Sequence, residues 1–449
     1  MQKLKIGYVP QAKASWKSDR LLRIRHDAIA SLERSGVEVV APPDLVFTDA
    51  EARDLCHEFK RAEVDAVILH FVTFSLGDIT PAVAVDMPVP LILFANPEPT
   101  PDGGRLKANS FCAANMNAHA LWRMRRPYAY LHGAPEELGE LFAVQARALA
   151  CAASLRRSRI GLVGGRVPGF YTSNFDEMAL RRVFGVDVKV LDILEVVEEA
   201  KRLPVESVDA AVAGVRDSAA CASDVSAEEV RQAAALLTAF RGMATKYHLD
   251  AFAVRCWPEF SDYFGIGPCA VMGSLTETGL VTSCEGDVLG ALTMLIEQRL
   301  SSAMPFFADL ISFDERANSA VLWHCGAAAP SLCADFARTA LRKHSVIDGG
   351  DRKGVVRDFP LRPGRITLAR VSEDRDGGYR LLLAAGTGLE TAQIHRGNPL
   401  AIQFDCSVKA LTDTIIEQGF EHHTVLTHAE IGAELRALCR WLDIRVVEA

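Results

Sequence analysis

Short runs of β-branched and apolar residues recur along the first part of the chain, at residues 4–9 (LKIGYV), 37–41 (VEVVA), 64–71 (VDAVILHF) and 89–95 (VPLILFA). Polar or turn residues bound each run. Amphipathic stretches lie between them at 21–35 and 50–62, and a long helical pattern follows over 136–155. Such alternation predicts a parallel sheet covered by helices. The pattern then restarts, with strands expected at 159–164, 186–191, 249–254 and 280–284 and helices at 173–183 and 227–246.

Past residue 326 the character changes. Gly349-Gly-Asp-Arg, Pro363-Gly and Asp376-Gly-Gly mark turns, and 365–371, 379–384 and 399–404 read as antiparallel strands. Helices are expected at 408–418 and 429–442. The fold class is therefore α/β: two doubly wound α/β domains, 1–156 and 157–326, followed by a smaller strand-rich C-terminal domain, 327–449.

Composition narrows the function classes. The 449 residues are 49% hydrophobic and 24% charged, an ordinary globular balance. A net charge of -8 and a pI near 5.9 argue against a nucleic-acid partner. The dense Arg123, Arg125 and Arg126 read as a solvated face before a strand. The N-terminus lacks a signal-peptide pattern, and no run of about twenty apolar residues stands out, so no membrane partner is expected. Eleven cysteines without CxxC pairs read as reduced thiols of a cytoplasmic protein, with no cysteine-built zinc site.

The stretch SCEGDVLGALTMLIEQRLSSAMPFFADL, from residue 283, places Glu285, Asp287 and Asp309 in or beside apolar sequence. An unpartnered carboxylate is costly there. Asp287 is explained as the N-cap of a helix. That helix, of about 14 residues and roughly 21 Å, would cross back over the sheet. A right-handed crossover would then make 306–313 parallel to 280–284, bringing Asp309 toward Glu285 at the strand ends where ligands gather. Converging carboxylates need a shared proton or cation. A divalent cation is one answer; strand-end carboxylates in ion pairs are the other. His324 (VLWHCG), His422 and His423 (GFEHHTVLTH) could complete an oxygen-and-imidazole set, or serve as hydrogen-bonded strand-end residues.

The CEGD sequence followed by GAL-ML, with FAD placing its aspartate 24 residues after the glutamate, resembles the L-fucose isomerase family. So does the closing segment HHTVLTHAEIGAELRALCRWLDIRV. GLVTSCEGD and LWHCG bear a more distant likeness to L-arabinose isomerase. The resemblance implies a three-domain, hexameric, Mn²⁺-dependent aldose–ketose isomerase, with Glu285, Asp309 and His423 as metal ligands. The arabinose isomerase pattern would add His324. Glu285 and Asp309 would also carry protons through a cis-enediol, with a hydride shift as the competing path. The chain is shorter than the fucose enzymes, and His422 replaces an asparagine in their pattern.

The substrate segment is replaced by AVRCWPEF, which offers Arg255, Trp257 and Glu259 as substrate-binding residues, or as a strand-end cluster with an internal Arg–Glu pair. His422 joins this set. Gln11, with Trp16 and Lys17 in the first loop, would face a neighbouring subunit's pocket by family likeness. GLVGGRVPG, from residue 161, departs from a dinucleotide fingerprint and reads as a turn shaping the cleft. The expected partner is a small-molecule sugar, left open among L-fucose, L-arabinose, a branched pentose and a sulfonated hexose. The expected cofactor is Mn²⁺ or another divalent cation, and the expected assembly a homo-oligomer. The rival readings are a non-catalytic sugar-binding protein and a metal-dependent lyase or epimerase.

Overall fold

The computed structural model describes residues 3–344 and 353–449. The turn expected at 349–352 lies outside the described residues. Compactness divides the chain into two units, Met1–Ala152 with Glu434–Asp443, and Ala153–Ala433 with Ile444–Ala449.

In the first unit, β1 (Lys5–Gln11), β2 (Glu38–Val40), β3 (Ala66–Phe71), β4 (Leu91–Ala95) and β5 (Tyr128–His132) form a parallel sheet of order β2-β1-β3-β4-β5. Helices α1 (Asp19–Arg34), α2 (Asp49–Ala62), α3 (Ile79–Asp86), α4 (Ser110–Arg123) and α5 (Leu138–Leu155) connect or follow these strands. β3 and β4 are buried along their whole length, which explains their unbroken apolar runs. One helical stretch, Pro135–Leu155, is long and apolar enough to cross a membrane, at mean hydropathy 1.3. Its Leu138, Phe142 and Leu149 pack with Ile68, Ile92 and Phe94 of the sheet, as a core helix does.

The second unit repeats the parallel build. β6 (Arg159–Val163), β7 (Asp187–Leu191), β9 (Ala251–Val254) and β10 (Val281–Cys284) pair as β10-β9-β6-β7, while the short β8 (Cys221–Ala222) joins another sheet. Helices α6 (Glu177–Phe184), α7 (Ile193–Arg202), α8 (Val205–Arg216), α9 (Ala227–Tyr247), α10 (Cys269–Glu277) and α11 (Val288–Ser301) accompany them.

The strand after α11 departs from expectation. β11 (Pro305–Asp314) is not parallel to β10. It pairs antiparallel with β12 (Ser319–Trp323) and with β18 (His423–Thr427). The crossover rule applies only when both strands share a sheet, and here the chain changes sheets. β15 (Gly364–Glu373), β16 (Tyr379–Gly388) and β17 (Leu400–Phe404) complete the order β15-β18-β11-β12-β17-β16-β19, where β19 is Arg445–Glu448. Pairing of β15 with β16 closes the ring into a barrel. Its core holds Leu322, Leu368, Leu382, Leu400, Ile402 and Leu426. β13 (Ala340–Arg342) and β14 (Val356–Asp358) form a small sheet with β8, and α12 (Val408–Glu417) and α13 (Gly432–Leu442) close the chain.

α11 contacts β9 and β10 on one side and β15 and β18 on the other, so it is buried on nearly every face. It carries Glu297, fully buried, whose carboxylate oxygens have no hydrogen-bond partner among the described residues. Burial pushes the Glu297 carboxyl well above the usual carboxylate range, so it is held neutral.

Candidate active site

β10 ends at Cys284, and the next three residues turn the chain into α11. Glu285 adopts a left-handed backbone, φ 60°, which a non-glycine residue enters at a cost of about 1–3 kcal/mol. Gly286 follows at φ 70°, and a Cβ there would lie 2.2 Å from the carbonyl oxygen of Gly165. Only glycine fits, because the 164–169 loop is pressed against this turn. The Gly286 amide donates to Val254 O at 3.0 Å, and the Asp287 amide to Cys284 O at 3.1 Å. The turn therefore sets where the Glu285 carboxylate points.

The barrel supplies the facing groups. Asp309 on β11 stands opposite His423, the first residue of β18. His423 Nε2 lies 3.3 Å from Glu285 Oε2 and 3.7 Å from Asp309 Oδ1, and His422 Nε2 lies 3.4 Å from Glu285 Oε2. Ligand atoms of Glu285, His422 and His423 all fall within 4.8 Å of one another. Asp309 Oδ1 is buried and has no hydrogen-bond partner among the described residues. Glu285 Oε2 and Asp309 Oδ1 thus both approach the same His423 nitrogen, and carboxylate oxygens with an imidazole nitrogen are donors a hard divalent cation takes.

Behind His423 lies a fully buried support. Asp287 caps α11 as expected, accepting from the Gly290 amide at 2.7 Å. It also sits 3.0 Å from His423 Nδ1 and receives both Nη groups of Arg370, at 2.6 and 3.1 Å. Arg370 reaches Glu421 at 3.4 Å as well. A carboxylate on one ring nitrogen of a histidine fixes the ring's tautomer and orientation toward whatever its other nitrogen faces. Here that carboxylate is itself held by a bidentate guanidinium.

The electrostatics follow from these contacts. Burial alone would raise Asp287, but Arg370 and His423 hold it well below the usual carboxylate range. Burial would likewise raise Glu285, yet His422 and His423 bring it down to about 2. Burial opposes charging His423, while Asp287 and Glu285 raise it. Both acids are thus ionised over the whole neutral range.

The remaining sequence candidates fall into distinct places. His324 is buried, with its ring 6.2 Å from that of His423 and its Nδ1 3.5 Å from Cys325 Sγ. His422 stands at the mouth, its Nδ1 2.9 Å from Thr172 Oγ1 and its ring 5.6 Å from Phe170. Phe170 meets Trp257 edge-on at 5.9 Å, so Trp257 shares this rim. Arg255 Nε donates to Glu259 at 3.1 Å, forming the internal Arg–Glu pair. Gln11 lies on β1 rather than in a loop. It is fully buried in the first unit, donating to Thr80 at 3.2 Å and accepting from Ser75 at 3.4 Å.

Sequence reading missed Arg370 and the second duty of Asp287; it read the 161–169 stretch as a turn shaping the cleft but did not single out Phe170 or Thr172 beyond it. An arginine set among the apolar residues of the strand RITLARV was the available signal for Arg370.

The chain matches the description "Fucose/sulfoquinovose isomerase, N-terminal domain" over residues 7–156 and "L-fucose isomerase, C-terminal domain" over 322–449. A protein named sulfoquinovose isomerase from Alkalicoccus urumqiensis is 31% identical to it, over 99% of both chains. This chain belongs to the fucose/sulfoquinovose isomerase family. It is an aldose–ketose isomerase, and the reading as a non-catalytic sugar-binding protein is set aside. Proteins of the same name from Priestia aryabhattai and Clostridium sp. (strain MSTE9) are 30% and 26% identical, each over 99% of both chains. Among solved structures, GanP, a glucose-galactose binding protein from Geobacillus stearothermophilus, aligns over 67% of this chain and 90% of its own. Its identity is 12% and its TM-score 0.18, too low to indicate a shared fold.

Proposed function

We propose that Glu285, Asp309 and His423 hold a divalent cation of the manganese class, and that the family's isomerisation takes place there on a sulfonated aldose, through a cis-enediol. The orphaned Asp309 Oδ1, buried beside Glu285 and His423, carries this reading. A cation bound there supplies polarisation of the sugar carbonyl and offsets negative charge developing on oxygen.

Glu285 and Asp309 do the proton work. An ionised carboxylate at the edge of the cluster takes the C2 proton, exchanges it with solvent, and delivers a proton to C1 on the same face of the sugar, while its partner exchanges protons with the hydroxyls. His423 stays fixed in orientation by Asp287 and Arg370. His422, Phe170 and Trp257 form the rim on which the sugar lies.

The sulfonate follows from the relatives' name and needs a cation of its own. Arg255 is neutralised by Glu259. Arg166 is better placed: its backbone abuts Gly286, its guanidinium lies 4.8 Å over the Tyr171 ring, and it has no carboxylate partner among the described residues. Arg166 is therefore the group we assign to the anionic end.

The test is turnover of sulfoquinovose with Mn²⁺ in D₂O, followed by NMR. A ketose carrying deuterium at C1 is expected. Ketose with full retention of substrate hydrogen would replace the enediol by a hydride shift. No turnover of sulfoquinovose beside turnover of a neutral aldose would remove the sulfonate.

A further inference from the structure

A second group of ligand atoms lies in the same unit, behind His324. Cys269 opens α10, Cys325 follows β12, and His344 follows β13. One ligand atom from each lies within 4.8 Å of the others. The sulfurs of Cys269 and Cys325 are 3.7 Å apart. Two thiolates bound to one tetrahedral ion at about 2.3 Å stand about 3.8 Å from each other, so the observed spacing already matches a shared ion. None of the three donors is an oxygen, which separates this group in chemistry from the Glu285 cluster.

The backbone around the sulfurs is fixed. A Cβ on Gly273 would meet Ala328 O at 2.3 Å, so α10 lies directly on the segment that follows Cys325. The buried guanidinium of Arg357 binds Ala328 O at 3.2 Å, Ser274 at 2.9 Å and Ser218 at 2.8 Å, tying the two segments together. Cys269 is 0% exposed and His344 2%. A site held this way needs little reorganisation to bind.

We propose that Cys269, Cys325 and His344 form a site for a thiophilic divalent cation of the zinc class, separate from the hard-cation cluster. Two thiol protons leave to solvent as the ion binds, and water takes the fourth tetrahedral position. Soft sulfur donors select such an ion over manganese. The site acts by position. Cys325 Sγ lies 3.5 Å from His324 Nδ1, and the His324 ring is 6.2 Å from that of His423. An ion on Cys325 therefore fixes the back wall of the candidate active site.

The test uses the full chain, reduced with a phosphine, stripped by chelator and titrated with Co²⁺ as a spectroscopic stand-in. One equivalent should give a thiolate-to-cobalt charge-transfer band with intense tetrahedral visible absorption. One equivalent of Zn²⁺ should erase it, and Mn²⁺ should not. Cys269→Ser should weaken binding at least tenfold, while Cys112→Ser, an exposed thiol, should leave it unchanged. Where Cys269→Ser fails to fold, His344→Ala reads the same loss. Absence of the band overturns the proposal, as does a band that survives Cys269→Ser or depends on Cys112. The readout needs no isomerase turnover, so it stands or falls apart from the catalytic reading.

Discussion

The inner wall and the outer rim of the candidate active site are built on opposite terms. The wall, Asp287, Arg370 and His423, is at most 1% exposed, and its members hold one another through charge-assisted bonds. The rim has His422 at 38% side-chain exposure, with Phe170, Trp257 and Arg166 around it on weaker ring and loop contacts. A buried, mutually satisfied network is rigid because any member left alone is costly. An exposed rim can change residues without that penalty. On the proposed reading, the wall holds the reacting carboxylates in place and the rim sets the choice of sugar.

That contrast can be broken in several ways, beginning with the largest effect. Glu285→Gln and Asp309→Asn should each lower kcat by about 10²–10⁴, in assays of sugar isomerisation at saturating Mn²⁺. A loss under tenfold for both would move the proton work elsewhere. Arg370→Met leaves the Asp287 charge buried without its main partner, and should destabilise by about 3–5 kcal/mol in urea unfolding. A near-neutral result would mean the wall is not a network. Asp287→Asn should weaken Mn²⁺ affinity about 10–100-fold by calorimetry, while the fold is retained.

At the rim the effects shrink. Arg166→Gln should raise KM for a sulfonated sugar roughly tenfold, about 1.4 kcal/mol, and leave a neutral aldose unaffected. Equal effects on both sugars would return Arg166 to a structural role.

The smallest effect tests burial without a partner. Glu297 shares α11 with the Asp287 cap but has no charge partner among the described residues. Its raised folded pKa means that its contribution to stability is present below about pH 4.3 and is lost as pH rises toward the folded value. Glu297→Gln should therefore raise Tm at pH 8, by an amount that narrows toward pH 4. A gap independent of pH would show that Glu297 is charged in the native state.

What was legible in the chain was local. The strands of both parallel sheets announce themselves because burial on two faces leaves unbroken apolar runs, as in AVILHF and LILFA. The Asp287 cap was readable because it spans three residues. Its contact with Arg370, 83 residues away, was not. Asp309 was expected to arrive on a strand parallel to β10; β11 instead reaches His423 from the barrel, since the apolar run at 306–313 says buried strand without saying which sheet. Arg370 on a strand looks the same in sequence whether it snorkels to solvent or grips a buried acid. The eleven cysteines read as scattered because Cys269 and Cys325, and the His344 beside them, come from three separate parts of the chain.

The closed ring of strands has one more implication. In an open sheet a slip of an edge strand by one residue disturbs a single ladder, although it turns every side chain on that strand to the other face. β18 has β15 on one side and β11 on the other, and β15 pairs with β16 around the far side. A one-residue slip would have to pass through every rung of the circle, and it would point His423 away from Asp309. The circumference of the barrel thus indexes a single imidazole against a single acid, so substitutions far around the ring should reach the cluster by altering its alignment.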